Sequence, residues 1–476
     1  MPSSKLTGLL MLFFFAIFAG KPLFSQQVWS LEECVQHALE NNLQIKQRML
    51  SVDLARENLL QTRANQLPNL NANASHGYNF GRTIDPFTNE FATERVQSNN
   101  FGLGGGMTIF SGFQIRNSIT QNKQELEASR LDVEKMENDI SLAVASAYLQ
   151  ILFSLELVEV ATNNLDITRQ QVERTKKLVE AGTLARGSLY TIEAQAAGEE
   201  LQLVNAQNQL EMSYLNLAQL LDLSEYRDFD IVVPEIEVEA FGQMDYSPMQ
   251  VFSTAVNTQP EVLSSEIRVM SAEQGVKIAR GGRSPMLSFR GSYGTGYSGA
   301  SREIIDVMVG EPRQIGLTAG GEPVFGPTFD YITQVKPFRD QLEDNLNRSL
   351  AFVLTIPIFN GLQTQTSISR SKISLENARL NNQLVRDQLF KSIQQAYADA
   401  QAALKRYSAT NKTVQALEEA FRYTEQRFNV GMVNSLEYND AKNRLAAAQS
   451  DMVQAKYEYV FRVKVLDFYL GIPISL

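Results

Sequence analysis

The chain has 476 residues but only one cysteine and two histidines. A single thiol, Cys34, excludes an intramolecular disulfide, so packing or assembly must hold the fold together. We interpret Cys34 as a small buried residue on a helix rather than as a lipid-anchored N-terminal cysteine. His37 and His76 are not accompanied by a cluster of metal-ligating or nucleophilic side chains. The sequence therefore predicts neither catalysis nor a bound metal or other cofactor.

Positive charges are fewer than negative ones: the chain has 43 Lys and Arg and 53 Asp and Glu, which gives a net charge of −10. This balance argues against a nucleic-acid partner. Long apolar runs are missing except at the N-terminus, where Leu6 to Gly20 follows Lys5. That run is shorter than the ~18 residues of a spanning helix, and we interpret residues 1–25 as a signal peptide, with a retained N-terminal anchor as the alternative. Removal of Lys5 and Lys21 would change the net charge from −10 to −12.

Proline and glycine are rare in two long stretches. No proline lies between Pro86 and Pro234 or between Pro357 and Pro473, and Gly431 is the only glycine in 362–468. Apolar residues recur at seven-residue spacing in both stretches, which predicts long helices packed as coiled coils. The predicted helices are 31–66, 113–181, 188–221, 249–283, 362–429 and 436–468.

The chain reads as two copies of one unit. Phe110, Gly112, Tyr148 and Gly182 each have a counterpart further along the chain, at a constant spacing of 359 − 110 = 249 residues. We predict a first repeat over 26–222, a linker or equatorial segment over 223–247, and a second repeat over 248–476. About 32 additional residues belong to the loop 299–345 of the second repeat, whose charges we interpret as solvated.

Each repeat also carries two strands with two different faces. One face is apolar, whereas the other consists of Asn, Ser, Thr and Gly without charge, as a channel lining would be. A length of about 11 residues suits a tilted membrane-spanning strand, although a soluble sheet would show the same alternation. Four strands cannot close a barrel in lipid alone, so several copies must share one. The predicted strands are 70–80, 99–110, 287–297 and 346–359, and the segment 81–98 is predicted to be a polar loop.

The second strand of each repeat runs directly into the long helix. The change of period occurs at Phe110-Ser111-Gly112 and again at Phe359-Asn360-Gly361. Glycine permits a sharp bend, so Gly112 and Gly361 mark the predicted junction between barrel and tunnel. We expect Phe110 and Phe359 to face the inner edge of the membrane.

With these features, the sequence resembles the TolC-type outer-membrane efflux proteins over nearly all of the chain that follows the predicted signal peptide. The resemblance is carried by the opening Leu31-Glu32-Glu33 with Ala38–Asn42, by Ala396-Tyr397 and by Val430-Gly431. It is also carried by the strand entries Leu67-Pro68 and Ser284-Pro285 and by the junction Pro357-Ile358-Phe359-Asn360-Gly361.

This resemblance implies a mainly α protein with membrane β structure. Long coiled-coil helices would form an α-barrel, and four transmembrane strands per protomer would contribute to a β-barrel shared by a homotrimer. The implied role is a passive exit duct in the bacterial outer membrane, with a long periplasmic extension, a periplasmic adaptor and an inner-membrane pump as partners. A structural or adhesive trimeric coiled coil with a barrel anchor is the alternative, but its strands would be expected at one terminus.

The resemblance also implies a narrow periplasmic entrance at the turns between long and short helices. The turn residues are Gly182 and Arg186 in the first repeat and Gly431 and Val433 in the second. Glu437 and Asp440 follow the second turn, one helical turn apart, and three copies of each would form two acidic rings, a constriction that selects cations. Glu437 equally suits the start of a helix capped by Ser435. Where Val433 stands, many family members have a basic residue, and Arg186 is the candidate substitute.

Overall fold

The structure is a computed structural model that describes residues 27–92, 95–223, 229–234, 246–473 and 475. The predicted signal peptide and most of the predicted segment 223–247 lie outside the described residues. The chain divides into two compact units, and each combines segments from both predicted repeats. The helical unit consists of the described parts of Met1–Leu54, Glu127–Arg268 and Arg379–Leu476, and the sheet unit consists of those of Ala55–Leu126 and Val269–Ala378. The repeat boundaries themselves remain a prediction.

The helices repeat in length. The first set has 11, 22, 67 and 35 residues, and the second set has the same four lengths in the same order. The two 67-residue and the two 35-residue helices agree with the prediction, which follows from the absence of proline within these four runs. The helices are α1 (Leu31–Asn41), α2 (Leu43–Ala64), α3 (Gln114–Glu180), α4 (Arg186–Leu220), α5 (Pro248–Thr258), α6 (Pro260–Gly281), the short α7 (Phe338–Asp344), α8 (Gln363–Asn429) and α9 (Ser435–Tyr469).

The prediction of continuous helices over 31–66 and 249–283 was wrong, because each is interrupted once. Asn42 leaves helical geometry with ψ 128°, and its side chain accepts a hydrogen bond from Gln44 N at 2.9 Å, so it caps the next helix. In the second repeat Gln259 is extended and Pro260 begins the new helix. Proline lacks the N–H that an uninterrupted helix would need there.

The core of the helical unit lies where α1, α3 and α4 meet. Tyr148, Leu152 and Leu217 are fully buried in it, together with Leu31 of α1. Two short parallel strands, β1 (Gln27–Trp29) and β6 (Phe229–Ile231), cover this core, and the hydroxyl of Tyr148 donates to the carbonyl of Val232 at 2.5 Å. By length and composition α3 contains a stretch apolar enough to cross a membrane. That stretch is the only one found among the described helices, and it lies partly within this packed core.

The sheet unit contains a four-stranded antiparallel sheet. Its strands are β2 (Asn69–Asn79), β5 (Val96–Ser111), β7 (Met286–Ser298) and β10 (Asn347–Thr355), in the order β10-β7-β5-β2. The four predicted strands are confirmed, with two corrected ends. β5 begins at Val96 rather than at residue 99, and β10 ends at Thr355 rather than at residue 359. Pro357 has no N–H to donate to a strand ladder, which accounts for the early end of β10.

Two segments predicted as loops contain regular structure instead. Segment 81–98 holds a small hairpin, β3 (Thr83–Ile84) with β4 (Phe91–Ala92), before β5 begins. Segment 299–345 forms a two-stranded ribbon, β8 (Arg302–Leu317) with β9 (Pro323–Val335), followed by α7. The ribbon exposes large apolar side chains such as Val309 and Phe325 in addition to its charges, so the interpretation of this segment as a solvated charged loop was incomplete.

Candidate functional site

The four-stranded sheet separates its side chains into an apolar and a polar face. The register pairs Ala72 with Leu103 and Leu103 with Tyr293, which places all three on one face. The large apolar side chains of the edge strand β10 are exposed, with 78% of Leu350 and 71% of Phe352 accessible. An exposed apolar face on a folded sheet needs a non-aqueous neighbour, and lipid fits because it covers strands of this length.

The opposite face is polar and nearly free of charge. Asn73 pairs with Gly102 and Gly102 with Gly294, and Asn71, Ser292 and Ser349 lie on the same side of the sheet by alternation. Within the paired positions of this face Arg290 is the one charged residue. Small uncharged polar groups hydrogen-bond to water without fixing an ion, which suits the wall of an aqueous channel.

The outer edges of the sheet are open. Within the described part of the chain, β2 pairs only with β5 and β10 pairs only with β7. Unpaired N–H and C=O groups along a strand edge are not tolerated in lipid, because each unsatisfied group costs several kcal/mol there. If this sheet spans a membrane, its two edges therefore have to be paired by other copies of the chain.

The junctions between strand and helix have the same backbone geometry in both repeats. Gly112 and Phe113 have φ of 62° each, and Gly361 and Leu362 have φ of 60° and 65°. Two consecutive left-handed residues reverse the chain direction, and glycine adopts this conformation without a steric cost. At Gly112 a Cβ atom would also come within 2.4 Å of the Gly281 carbonyl oxygen, so that position has room only for glycine.

The phenylalanines of the junctions are accessible to different extents. Phe110 is 39% exposed and packs edge-on against Phe113, with ring centroids 5.4 Å apart, whereas Phe359 is 81% exposed. Aromatic rings are enriched where a membrane meets water. Their predicted position at the inner membrane edge remains a prediction.

The predicted tip turns share one helix-ending motif. Gly182 has φ of 75°, its N–H donates to Val179 O at 3.0 Å, and Thr183 N donates to Leu178 O at 3.0 Å. Gly431 repeats the motif with φ of 77°, Gly431 N to Phe428 O at 3.1 Å and Met432 N to Arg427 O at 2.9 Å. This pair of bonds satisfies the last carbonyls of each long helix and sends the chain into the short helix beside it.

Both predicted acidic residues lie at the start of α9, and each has an arginine partner in the same chain. Glu437 Oε1 is 3.4 Å from Arg427 Nη1, and Asp440 Oδ2 is 3.0 Å from Arg444 Nη2. These side chains are more than half exposed, so each pair contributes only about 0–1 kcal/mol. The arginines matter more for the local field, because they offset part of the negative charge at this end of the helix pair.

Three details of the tip differ from the sequence interpretation. The α9 cap is Asn434 rather than Ser435, since its side-chain oxygen accepts a hydrogen bond from Glu437 N at 2.9 Å. Arg186 is exposed and forms no ion pair with another described residue, so its role as a substitute latch stays a prediction. Val433 is half-buried in the turn, and Arg427, ten residues before Glu437, is the arginine that reaches this carboxylate.

An aromatic cluster packs between α8 and α9 next to the turn at Gly431. Tyr438 is buried, stacks on Phe428 with centroids 4.6 Å apart, and contacts Phe421 at 5.4 Å. Burial raises the pKa of the Tyr438 hydroxyl to about 12, with a smaller contribution from Glu425. Arg174 of α3 hydrogen-bonds to the side chain and carbonyl of Asn429 at the last residue of α8.

One buried ion pair was not predicted. Lys442 of α9 donates to both carboxylate oxygens of Glu199 on α4 at 3.0 Å, and to Asn164 O and Thr168 Oγ1 of α3. The two charged side chains are only 3% and 5% exposed. Burial lowers the pKa of the Lys442 ammonium, and the Glu199 carboxylate acts in the opposite direction. A gap of 243 residues separates the partners, so no local sequence pattern could have indicated this contact.

Neither the thiol nor the metal-ligating side chains of the described residues form a reactive site. Burial raises the pKa of the Cys34 thiol to about 12, aided by Glu33 and Glu32, and this keeps the thiol protonated. Among the described residues there is no group of three or more His, Cys, Asp and Glu arranged to hold a metal ion.

A four-stranded sheet with one apolar and one polar face, followed along the chain by 67-residue helices, is the architecture of an outer-membrane channel protein. The family model of outer membrane efflux proteins matches residues 34–222 and 251–471, and the chain belongs to this family. Its members are channels rather than enzymes, and this chain is an efflux channel of the outer membrane.

Individual relatives agree with this assignment. The outer membrane efflux protein BepC of Brucella suis is 22% identical, covering 89% of this chain and 81% of its own. The outer membrane protein TolC of Vibrio cholerae is also 22% identical, covering 94% and 92%. A crystal structure of CusC superimposes with a TM-score of 0.75 at 16% identity over 95% of this chain and 96% of that one, which shows that the fold is shared.

Proposed function

We propose that this chain is the exit duct of a tripartite efflux or type I secretion system, working as a homotrimer. The observation that carries the proposal is the open sheet with an exposed apolar face and a polar, almost uncharged face. Such a sheet suits a barrel wall with lipid outside and water inside. The alternating residues Leu103 and Gly104 of β5 illustrate the two sides.

Closure of the barrel follows from the two open edges. In the proposed assembly, β2 of one copy pairs with β10 of the next, so that no edge remains in lipid. Barrels smaller than about eight strands are not formed, and three copies of a four-stranded sheet supply twelve strands. The number of three comes from the resemblance to TolC-type proteins, and the open edges support a closed ring of copies.

The helices extend the proposed duct away from the membrane. At ~1.5 Å per residue, each 67-residue helix is ~100 Å long, enough to reach far into the periplasm. A groove of about 670 Å³ runs along α3, α4 and α9, and its lining mixes apolar side chains such as Val160 and Ala446 with amides such as Gln195 and Asn443. Mixed polarity is typical of protein–protein interfaces, which supports docking of a helical adaptor that would connect the duct to an inner-membrane pump.

Glu437 and Asp440 are our proposed lining of the periplasmic entrance. Three copies of the pair would form two acidic levels, each partly offset by Arg427 or Arg444. We therefore expect moderate cation selectivity rather than a strong block of anions, because the arginines reduce the net field in the ring. Transport through the duct is passive, with energy supplied by the pump.

Single-channel recording of the purified protein in planar bilayers tests both proposals. The double variant Glu437→Gln/Asp440→Asn should lower the preference for cations over anions relative to wild type. Asp451→Asn is the matched control, since Asp451 is an exposed acid farther along the same helix α9. Equal effects of the two would refute the acidic entrance, whereas an impermeable wild-type protein that migrates as a monomer on native gels would refute the duct.

A further inference from the structure

The segment between β2 and β5 contains a tightly built turn, Asp85–Glu90, which we call the Asp85 turn. Asp85 is 1% exposed, and its Oδ1 accepts hydrogen bonds from Phe87 N at 3.0 Å and Thr88 N at 2.9 Å. Its backbone N–H donates to Glu90 O at 2.9 Å, and Asn89 closes the turn with φ of 60°. A carboxylate that organises its own turn in this way fixes the backbone in one shape.

The Asp85 turn is attached to the central strand β7. Ser298, which is fully buried, donates its hydroxyl hydrogen bond to Asp85 Oδ2. Two residues earlier, the ring of Phe87 lies over Gly296 so closely that a Cβ atom there would meet Phe87 Cζ at 2.0 Å. A side chain at position 296 would therefore displace the turn, which explains why glycine fits at this place.

The face to which the turn is attached follows from the register. Gly296 pairs with Asn100 and Ser298 with Ser98, and by alternation both share the polar face with Asn73 and Gly102. This attachment lies at the outer end of the sheet, opposite the end where β5 runs into α3. A cavity of about 330 Å³ lies beside this attachment and is lined by Phe87, Asn73 and Asn100 among others.

We propose that the Asp85 turn is an exit constriction of the duct, held across the barrel lumen by Asp85–Ser298 and by Phe87 on Gly296. The inference rests on the proposed function, because the polar face becomes the lumen only in a closed barrel. Each copy contributes one turn, so a ring of turns narrows the mouth opposite the helices. The turn presents the exposed residues Asn89 and Glu90 to the passing substrate, and these residues set the size that can leave.

Bilayer conductance of Asp85→Ala tests the constriction. Loss of the carboxylate frees two backbone N–H groups of the turn and the Ser298 hydroxyl, so the turn detaches and conductance rises, by about twofold or more if the turns form the narrowest point. Ser298→Ala removes only the attachment and should shift conductance in the same direction by less. Glu57→Ala is the control, because it removes one exposed carboxylate from α2, outside the Asp85 turn.

Thiol labelling gives a second measurement that does not depend on loosening the turn. Glu90→Cys, labelled with a bulky membrane-impermeant reagent from outside the cell, should lose conductance. Leu350→Cys on the apolar face should not, and the native Cys34 is buried.

Each outcome decides one of the two proposals. A conducting wild type with Asp85→Ala and labelled Glu90→Cys unchanged would overturn the constriction and leave the duct intact. An equal rise in Glu57→Ala would also overturn it, since the loss of a carboxylate rather than detachment of the turn would then be the cause. If the wild-type protein itself were impermeable, the duct would be refuted, and the constriction with it.

Discussion

Replacement of Lys442 by methionine examines what holds the three helices α3, α4 and α9 together near the tip. The ammonium group satisfies Glu199, Asn164 and Thr168 at once, inside a region where both charged side chains are at most 5% exposed. Methionine keeps most of the side-chain length and removes the charge. Among the described residues, Glu199 then keeps one side-chain hydrogen-bond donor, Gln195 Nε2 at 2.8 Å.

The expected loss is large because the remaining carboxylate has nowhere to be solvated. Removal of one partner from a buried ion pair costs about 3–5 kcal/mol, whereas removal of both in favour of apolar side chains of similar volume is often neutral. Lys442→Met should therefore lower the free energy of unfolding by about 3–5 kcal/mol. The double variant Lys442→Met/Glu199→Met should recover most of that loss.

Lys456 provides the matched control on the same helix. Its Nζ is also 3.0 Å from a carboxylate, that of Glu156 on α3, but these side chains are 20% and 30% exposed. Because water reaches this pair, Lys456→Met should cost only about 1 kcal/mol. The ion-pair distance is the same in the two pairs, so a difference between the variants reports the burial of Lys442 together with its two further hydrogen bonds to α3.

Denaturant unfolding of detergent-solubilised protein, followed by far-ultraviolet circular dichroism, gives the order of midpoints. The expected order is wild type, then Lys456→Met close below it, then Lys442→Met far below, with the double variant between the last two. Equal midpoints for the two single variants would contradict the reasoning, because burial would then have no effect. A double variant no more stable than Lys442→Met would show that the loss of stability does not come from leaving the Glu199 carboxylate buried without its lysine partner.

Three further predictions concern single residues. Cys34 in the native protein should resist maleimide at pH 8 and react after unfolding, since its pKa of about 12 leaves almost no thiolate; rapid native labelling would contradict its burial. Because the pKa of Tyr438 is raised in the folded protein, this residue contributes ~2–3 kcal/mol of stability below pH 10 that is lost as the pH rises towards 12. Tyr438→Phe should therefore reduce the loss of stability between pH 10 and pH 12 in pH-dependent unfolding. Gly112→Ala should destabilise the protein by several kcal/mol in thermal unfolding, and Gly361→Ala by only about 1–2 kcal/mol. Both glycines have positive φ, but only at Gly112 would a Cβ atom meet a backbone carbonyl. Equal losses would refute the close approach of Gly112 to the Gly281 carbonyl.

Element lengths were predictable from the sequence because they depend on local signals. A run without proline that is followed by Gly431 predicts a long helix that ends at a glycine with left-handed backbone geometry. The structure places the end of this helix within one residue of the prediction. Pro260 was a visible signal for the break in 249–283, but the helical periodicity on both sides of it favoured one continuous helix. Asn42 also carried a signal, since asparagine is a favoured N-cap. Its hydrogen bond to Leu220 O, 178 residues away, could not be predicted from the sequence.

The ribbon β8–β9 and the side-chain partners at the tip were not predictable for a different reason. Pro312, Pro323 and Pro327 within segment 299–345 indicate a loop, and only register shifts let a ribbon accommodate Pro312. The pairing of Arg427 with Glu437 depends on how the turn at Gly431 folds back. Sequence predicts where such a turn occurs, but the direction of each side chain is set by packing against the neighbouring helix.

The two repeats share a backbone and differ in chemistry at equivalent positions. With the spacing of 249, Glu437 corresponds to Ser188 and Asp440 to Thr191, since 437 − 249 = 188 and 440 − 249 = 191. Both uncharged residues lie at the start of α4, as the two acids lie at the start of α9. In the trimer that we propose, each acidic level would therefore alternate with neutral positions and hold three carboxylates rather than six. Halving the number of like charges limits their mutual repulsion, and each remaining carboxylate keeps an arginine beside it, so the entrance can be narrow without an electrostatic cost that would force the helices apart.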